Sequence, residues 1–371
     1  MGQNLVSPRG AAGLGVVHFV VDAVCVACVL RASPSSNAVA STALAFVLGY
    51  DLLAFAEQLP LGWLVDRLSL RRGAALAGIV LTGLALAAGP GAALSTIVLA
   101  GVGNALFHLG AGAMVLSGSR GRATPAGIFV APGALGLGLG MALGRKLPGV
   151  SLWPGYLALA LAIAIVLLVS RSAVQGSDYG AALHSRLDPT SSIVGLALLL
   201  LSVAIRALVG SVACDHCARG TVLLLAVPLA GFAGKFSGGF LADRFGWVEV
   251  SVAALLASAP LLAWSNGDLL AAIPGLVLFQ LTMLVTLAAV FRILPARPAT
   301  GFGFLCVALV GGTLPAYLPG GWHPQGSSLF GLVILSAAAL FVALRPIESL
   351  RSRSPASPIL STQPTTSGGN P

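Results

Sequence analysis

His18 and Asp22 stand four residues apart inside an apolar stretch, and Asn104 and His108 repeat that spacing in another. On a helix, positions i and i+4 share a face, so each pair presents its two polar groups together. A carboxylate beside imidazoles can hold a proton and pass it on, and histidine is the side chain that changes charge nearest neutral pH. An ionisable group at the centre of a membrane-length run costs at least ~3 kcal/mol to insert, so its presence there points to function. Asp51 and Glu57 share a third run. By helical rise, Asp22 is roughly 16 Å into its run, while Glu57 and Asp51 are roughly 13 Å and 22 Å from Asp66. Asp22, His18, Glu57, Asp51 and His108 are therefore the candidate proton carriers. A closed polar cluster that only holds these helices together is the competing reading. Arg206 lies deep in a later run and does not deprotonate, so it requires a carboxylate, carbonyl oxygens or an anionic ligand. Structural pairing and substrate binding both satisfy it; with Asn104 it forms the candidate substrate-binding set. Lys235, in the next run, reads as structural, its ammonium snorkelling towards the nearer surface.

The elements that carry these groups are long and apolar. Charged residues make up 8% of the chain, against about 25% in a soluble domain. With 57% hydrophobic residues and a mean hydropathy of +0.96, the chain has more apolar surface than a soluble core can hide, whereas a bilayer requires runs of only about 20 residues. Such runs fall at roughly 11–30, 38–64, 73–89, 92–116, 124–144 and 152–170, then at roughly 192–213, 220–241, 247–264, 268–291, 300–318 and 327–344. The expectation is an all-α integral membrane protein of about twelve transmembrane helices. Residues 1–170 make one six-helix half and 192–345 the other. A polar linker at 171–191 joins them, and 346–371, rich in Ser, Pro, Thr and Gly, reads as a disordered tail.

The net charge of +9 raises nucleic acid as a partner, but its placement argues against that. Arg67, Arg71, Arg72, Arg122, Arg171, Arg244, Arg292, Arg297 and Arg345 all fall in alternate connections, and the other connections hold only Arg31, Arg145, Lys146 and Arg219. This is the positive-inside bias; it puts both termini and the linker in the cytoplasm of a multi-pass protein of the cell membrane. The first run carries His18 and Asp22 and reads as a helix that stays, not as a cleaved signal.

A charged turn appears twice, half a chain apart: Gly62-x-x-x-Asp66-Arg67, followed by Arg71 and Arg72, and Gly239-x-x-x-Asp243-Arg244. Each follows a long apolar run. This repeat resembles the loop motif of the major facilitator superfamily of secondary transporters, which joins helices 2 and 3 and, in weaker form, helices 8 and 9. The resemblance implies two six-helix halves that rock about a central substrate path. It also implies that Asp66 pairs across to the other half and stabilises the outward-facing state, with the arginines contributing charge. The second copy has Trp247 and Val248 where the resemblance leads one to expect basic residues, and it reads either as a gate or as a structural relic. Basic residues serving only as topology anchors would explain both copies more simply. His18-Phe19-x-x-Asp22 and Gly101-x-Gly103-Asn104-Ala-Leu-Phe107-His108 further resemble the fosmidomycin-resistance branch, whose members export small drugs against protons.

Other features exclude chemistry. Gly231-Phe-Ala-Gly234-Lys235-Phe236 lacks the first glycine and the magnesium-holding hydroxyl of a phosphate-binding loop, which argues against an ATP-driven pump. The glycines at 133, 136, 138 and 140 follow no strand and suit close helix packing. Cys25/Cys28 and Cys214/Cys217 could meet as a soft-metal site, but membrane cysteines more often pack as small hydrophobes; no metal and no cofactor is expected. No nucleophile–base pair marks an enzyme. The reading is a monomeric, proton-coupled secondary transporter that exports a small amphipathic or anionic compound. Import of a small organic anion through Arg206, and a non-transporting sensor or scaffold, are the alternatives.

Overall fold

In a computed structural model of the chain, residues 7–33, 40–119, 121–171, 189–217, 223–318 and 320–352 are described. Among them every regular element is helical. Twelve spans run in sequence. Those of the first half are Pro8–Ala32; Ala40–Asp51, continued through a π turn at Leu52–Ala56 into Gln58–Arg67; Arg71–Ala88; Ala93–Gly118; Thr124–Met141 with a π turn at Ala142–Lys146; and Pro154–Arg171. The second half follows as Pro189–Cys217; Leu223–Phe245; Trp247–Ala263; Leu269–Gln280 restarting at Met283–Ile293; Pro298–Tyr317; and Gly326–Ser352. Helices satisfy all their backbone groups internally, which is what a bilayer interior demands. Ten of the helical stretches are long and apolar enough to cross alone, and Trp247–Ala263 is a shorter apolar helix. The chain is thus a multi-pass, all-α membrane protein with two six-helix halves.

Local chemistry sets the starts and breaks. Span 1 begins at Pro8, whose missing N–H costs nothing in a first turn, and Ser7 caps it by accepting from the Gly10 N–H at 3.1 Å. Span 12 passes the end of its apolar run and continues through Pro346 and Glu348 to Ser352. The linker at 172–188 and the tail from 353 lie outside the described residues.

Within the first half, spans 1 and 5 pack along their lengths, as do spans 3 and 4. The glycines of span 5 make this contact possible. A methyl group at Gly140 would come within 2.7 Å of the Val26 Cβ, one at Gly144 within 2.6 Å of the Leu30 Cβ, and one at Gly133 would strike the His18 ring. Gly138 faces the other way: a methyl there would lie 2.6 Å from the Pro228 ring in span 8. The halves meet through two related contacts, span 5 on span 8 and span 11 on span 2. Of span 2, the Gln58–Arg67 segment touches span 11, while Ala40–Asp51 packs on spans 1 and 4. The halves are therefore closed at the end that carries the arginine motifs, here called the basic end.

Candidate functional site

The closed basic end is built from the repeated motif. Gly62 lets span 2 approach span 11, since a methyl group there would sit 2.6 Å from the Ala299 carbonyl oxygen; Gly239 does the same for span 8 at the Ala123 carbonyl, also 2.6 Å. Asp66 then reaches the start of span 11, accepting from the N–H groups of Ala299 (3.2 Å) and Thr300 (2.7 Å) and from the Thr300 hydroxyl (2.8 Å). Asp243 accepts from the N–H groups of Ala123 (3.1 Å) and Thr124 (2.9 Å) and from the Thr124 hydroxyl (2.6 Å) at the start of span 5. Each carboxylate caps a helix of the opposite half, where the orphan N–H groups and the positive end of the helix dipole favour an anion. The cross-half partner of Asp66 is thus a helix terminus, not a charged side chain. The second copy is as fully engaged as the first, and it adds the Trp247 Nε1–H at 3.1 Å and Arg122 at 3.6 Å.

The motif arginines divide. Arg71 donates to the Ser117 hydroxyl at 2.7 Å, and Arg67 stacks on Trp63 at 4.9 Å. Arg72 and Arg244 are exposed and join no hydrogen bond or ion pair among the described residues. Two further contacts at this end escaped the sequence reading. Arg292 is buried; it donates twice to the Gly121 carbonyl (3.1 and 2.6 Å) and lies 3.8 Å over the Trp247 ring. Glu348 caps span 9 by accepting from the Trp247 N–H at 2.7 Å and the Val248 N–H at 3.0 Å. Both residues sit where polar side chains are expected, so nothing in the sequence singles them out.

Deeper in the first half, spans 1 and 4 bring the two spaced pairs together. His18 Nε2 lies 3.1 Å from Asp22 Oδ2 and 2.7 Å from His108 Nε2, and His108 Nε2 is 3.8 Å from Asp22 Oδ1. Asn104 donates its amide N–H to Asp22 Oδ1 at 2.9 Å. Its own Oδ1 is buried without a hydrogen-bond partner among the described residues. The ring nitrogens facing away are spoken for: His18 Nδ1 is 3.0 Å from the Phe129 carbonyl oxygen, and His108 Nδ1 is 2.9 Å from that of Asn104. A carbonyl only accepts, so both Nδ1 atoms carry hydrogen. Each neutral ring then turns a lone pair towards the other, and two lone pairs 2.7 Å apart repel. One proton between them converts the contact into an N–H···N hydrogen bond, with Asp22 as the adjacent counter-charge.

Two histidines and a carboxylate also suggest a metal, and their ligand atoms lie within 4.8 Å of one another. Two nitrogens bound tetrahedrally to one metal at the usual bond length would stand about 3.3 Å apart; the observed 2.7 Å suits a proton better. Asp51 and Glu57, partly buried on either side of the π turn in span 2, join no hydrogen bond of this cluster. Lys235 is partly buried in span 8. Its segment of span 8 lies against span 5, where a methyl at Gly127 would be 3.1 Å from the Lys235 carbonyl oxygen.

In the second half, Arg206 is buried between spans 7 and 10. Its guanidinium donates to the Ser202 carbonyl (3.2 Å), to the Thr282 hydroxyl and to the Thr286 hydroxyl (2.7 Å). Cys25 and Cys28 are buried free thiols, with Cys25 Sγ 3.5 Å from the Thr82 hydroxyl; the side chains of Cys214 and Cys217 lie outside the described residues.

No family model matches this sequence, and no curated protein matches it. Solved structures do. A point variant of the fucose:proton symporter FucP of E. coli superposes with a TM-score of 0.66 at 14% identity, over 95% of this chain and 100% of that one. FucP described in the outward conformation gives 0.64 at 16% identity, over 91% and 97%. The human organic anion transporter MFSD10 gives 0.65 at 16% identity, over 91% and 99%. At such identities the likeness shows the fold, and the fold is that of the major facilitator transporters.

Proposed function

We propose that this protein is a secondary transporter that works by alternating access and couples the movement of its cargo to protons. The observation that carries the reading is the 2.7 Å approach of His18 Nε2 to His108 Nε2, with both Nδ1 atoms engaged by carbonyls and Asp22 beside them. With the proton bound, the cluster closes; without it, the facing lone pairs drive the rings apart. The occupied and empty sites therefore favour different packings of span 1 on span 4, which is the differential interaction a coupled conformational change requires. The buried acceptor of Asn104 is left for a donor on the cargo or for a water. With the positive-inside topology, the basic end is cytoplasmic and this arrangement faces outward. A proton taken up from outside and released inside would drive export of a small amphipathic or anionic compound, acting from a monomer in the cell membrane.

Reconstitution into liposomes tests this. Labelled amphipathic and anionic compounds are offered with and without a pH gradient. The expected result is accumulation that requires the gradient and disappears in Asp22→Asn and His108→Gln proteins that fold normally. Transport of equal size with no gradient, or with the cluster removed, would reject proton coupling.

A further inference from the structure

Arg206 carries a permanent charge buried to 6% exposure, yet its hydrogen-bond partners are all neutral oxygens. No carboxylate lies within ion-pair distance of it among the described residues. A buried guanidinium without a counter-charge is expensive in a membrane interior. Two hydroxyls and a carbonyl orient it but do not neutralise it. They occupy three of its five N–H groups, which leaves two free to form a fork.

Two further features point to what completes it. Span 10 breaks beside the guanidinium: its first helix ends at Gln280 and its second starts at Met283, with Arg206 bonded to Thr282 in the break and to Thr286 in the following turn. The electropositive start of Met283–Ile293 thus faces the guanidinium, and the only opposing charge at the break is the partial negative end of Leu269–Gln280. One turn beyond Arg206, on the same face of span 7, a methyl group placed at Gly210 would meet no atom within 4 Å. Span 7 is therefore unpacked one turn from the guanidinium.

We infer that Arg206, oriented by Thr282 and Thr286, is the binding site for the carboxylate of a small organic acid, which approaches past Gly210. This rests on the transporter reading for its purpose, but its test measures binding alone. The arrangement assigns the two halves separate tasks: the first holds the proton, and the second holds the anionic head of the cargo.

The experiment is a thermal-shift and calorimetric titration of purified full-length protein at fixed pH. The probes are sodium benzoate and sodium lactate, with benzamide and fucose as uncharged comparators. The carboxylates should stabilise the protein and the neutral compounds should not. Arg206→Gln should weaken carboxylate binding about tenfold or more, the usual scale for losing a charge-assisted contact. Gly210→Met fills space that touches nothing, so it should fold normally while weakening the same binding, and it decides the matter if Arg206→Gln fails to fold. Equal binding of the acids and their neutral analogues, or carboxylate binding unchanged in Gly210→Met and in a folded Arg206→Gln, would overturn the proposal. If carboxylates bind through Arg206 but no gradient-driven flux appears in liposomes, the site stands and the transporter reading falls.

Discussion

Asp66 and Asp243 accept from the same set of groups, two N–H donors and a threonine hydroxyl, at the start of a helix in the opposite half. The centres of the two halves share no such likeness. The first half packs His18, Asp22, Asn104 and His108 between spans 1 and 4. The second places Arg206 against two threonines between spans 7 and 10. Spans 1 and 7 occupy matching places in the repeat, as do spans 4 and 10, so the same framework carries an acid–base cluster on one side and a fixed cation on the other. Symmetry is retained where the halves close on each other and lost where the proposed proton and anion sites lie. The basic end requires matching geometry from both copies, whereas the proposed proton and anion sites require opposite groups.

The largest effect is expected from breaking the asymmetric part. Asp22→Asn keeps the shape of the side chain and the contact from Asn104 but removes the counter-charge of the shared proton. Gradient-driven transport should fall to the level of empty liposomes while the protein inserts and melts normally. Exchange of cargo without net proton movement should survive. A folded Asp22→Asn protein with wild-type gradient-driven flux would make the cluster structural.

The symmetric part should yield smaller and equal effects. Asn at either Asp66 or Asp243 keeps one acceptor and removes the charge from a helix N-terminus, worth about 1 kcal/mol, or a roughly fivefold shift towards opening at the basic end. Distances between spin labels placed on spans 2 and 11, and on spans 5 and 8, report that shift. The two single variants should match, and the double variant should show the product of their effects. A silent Asp243→Asn beside an active Asp66→Asn would reduce the second motif copy to a relic.

How much of this was legible follows from where charge is costly. Asp22, His18, His108 and Arg206 stand out because each interrupts an apolar run; i, i+4 spacing puts His18 against Asp22, whereas the side chains of Asn104 and His108 each reach across to span 1. That the two pairs meet is a tertiary fact, set by the glycines of span 5, which bring span 1 so close that His18 lies against Gly133. The sequence marks those glycines as packing residues without naming their partner. Glu348 and Arg292 were illegible for the opposite reason: in a polar connection an ionisable side chain carries no penalty that would flag it. The π turn at Leu52–Ala56 holds no proline or glycine itself, but Pro60 one turn on lacks the N–H that would bond the Ala56 carbonyl.

A third carboxylate separates the halves more finely. Glu348 caps span 9 from within its own half, while the corresponding start of span 3, at Leu70, has no side-chain cap. Glu348→Gln should therefore lower stability by about 1 kcal/mol, the usual scale of a lost cap, and thermal unfolding should begin in the second half. Hydrogen exchange resolved by segment would show faster exchange at the start of Trp247–Ala263 and none at the start of Arg71–Ala88. Equal exchange at both starts would mean that the cap holds nothing in place.

The smallest effect is expected at Glu57, and it sharpens what the cluster is. Glu57 and Asp22 both look like intramembrane proton carriers when only depth and residue type are counted. The structure distinguishes them by company: Asp22 lies among two imidazoles and an amide, whereas Glu57 ends the π turn of span 2, partly exposed and outside that network. The proposed proton site has a partner for each charge state, since the facing imidazoles share the proton and Asp22 supplies the counter-charge, and Glu57 has none of these neighbours. Glu57→Gln should then leave gradient-driven flux within about twofold of wild type, a change of less than about 0.5 kcal/mol in barrier height, since the side chain joins no hydrogen bond of the cluster. Liposome flux measured side by side with Asp22→Asn provides the check. If the Glu57 variant lost coupling as completely as the Asp22 variant, the proton path would have to include span 2, and the closed histidine contact would be one station on it instead of the whole site.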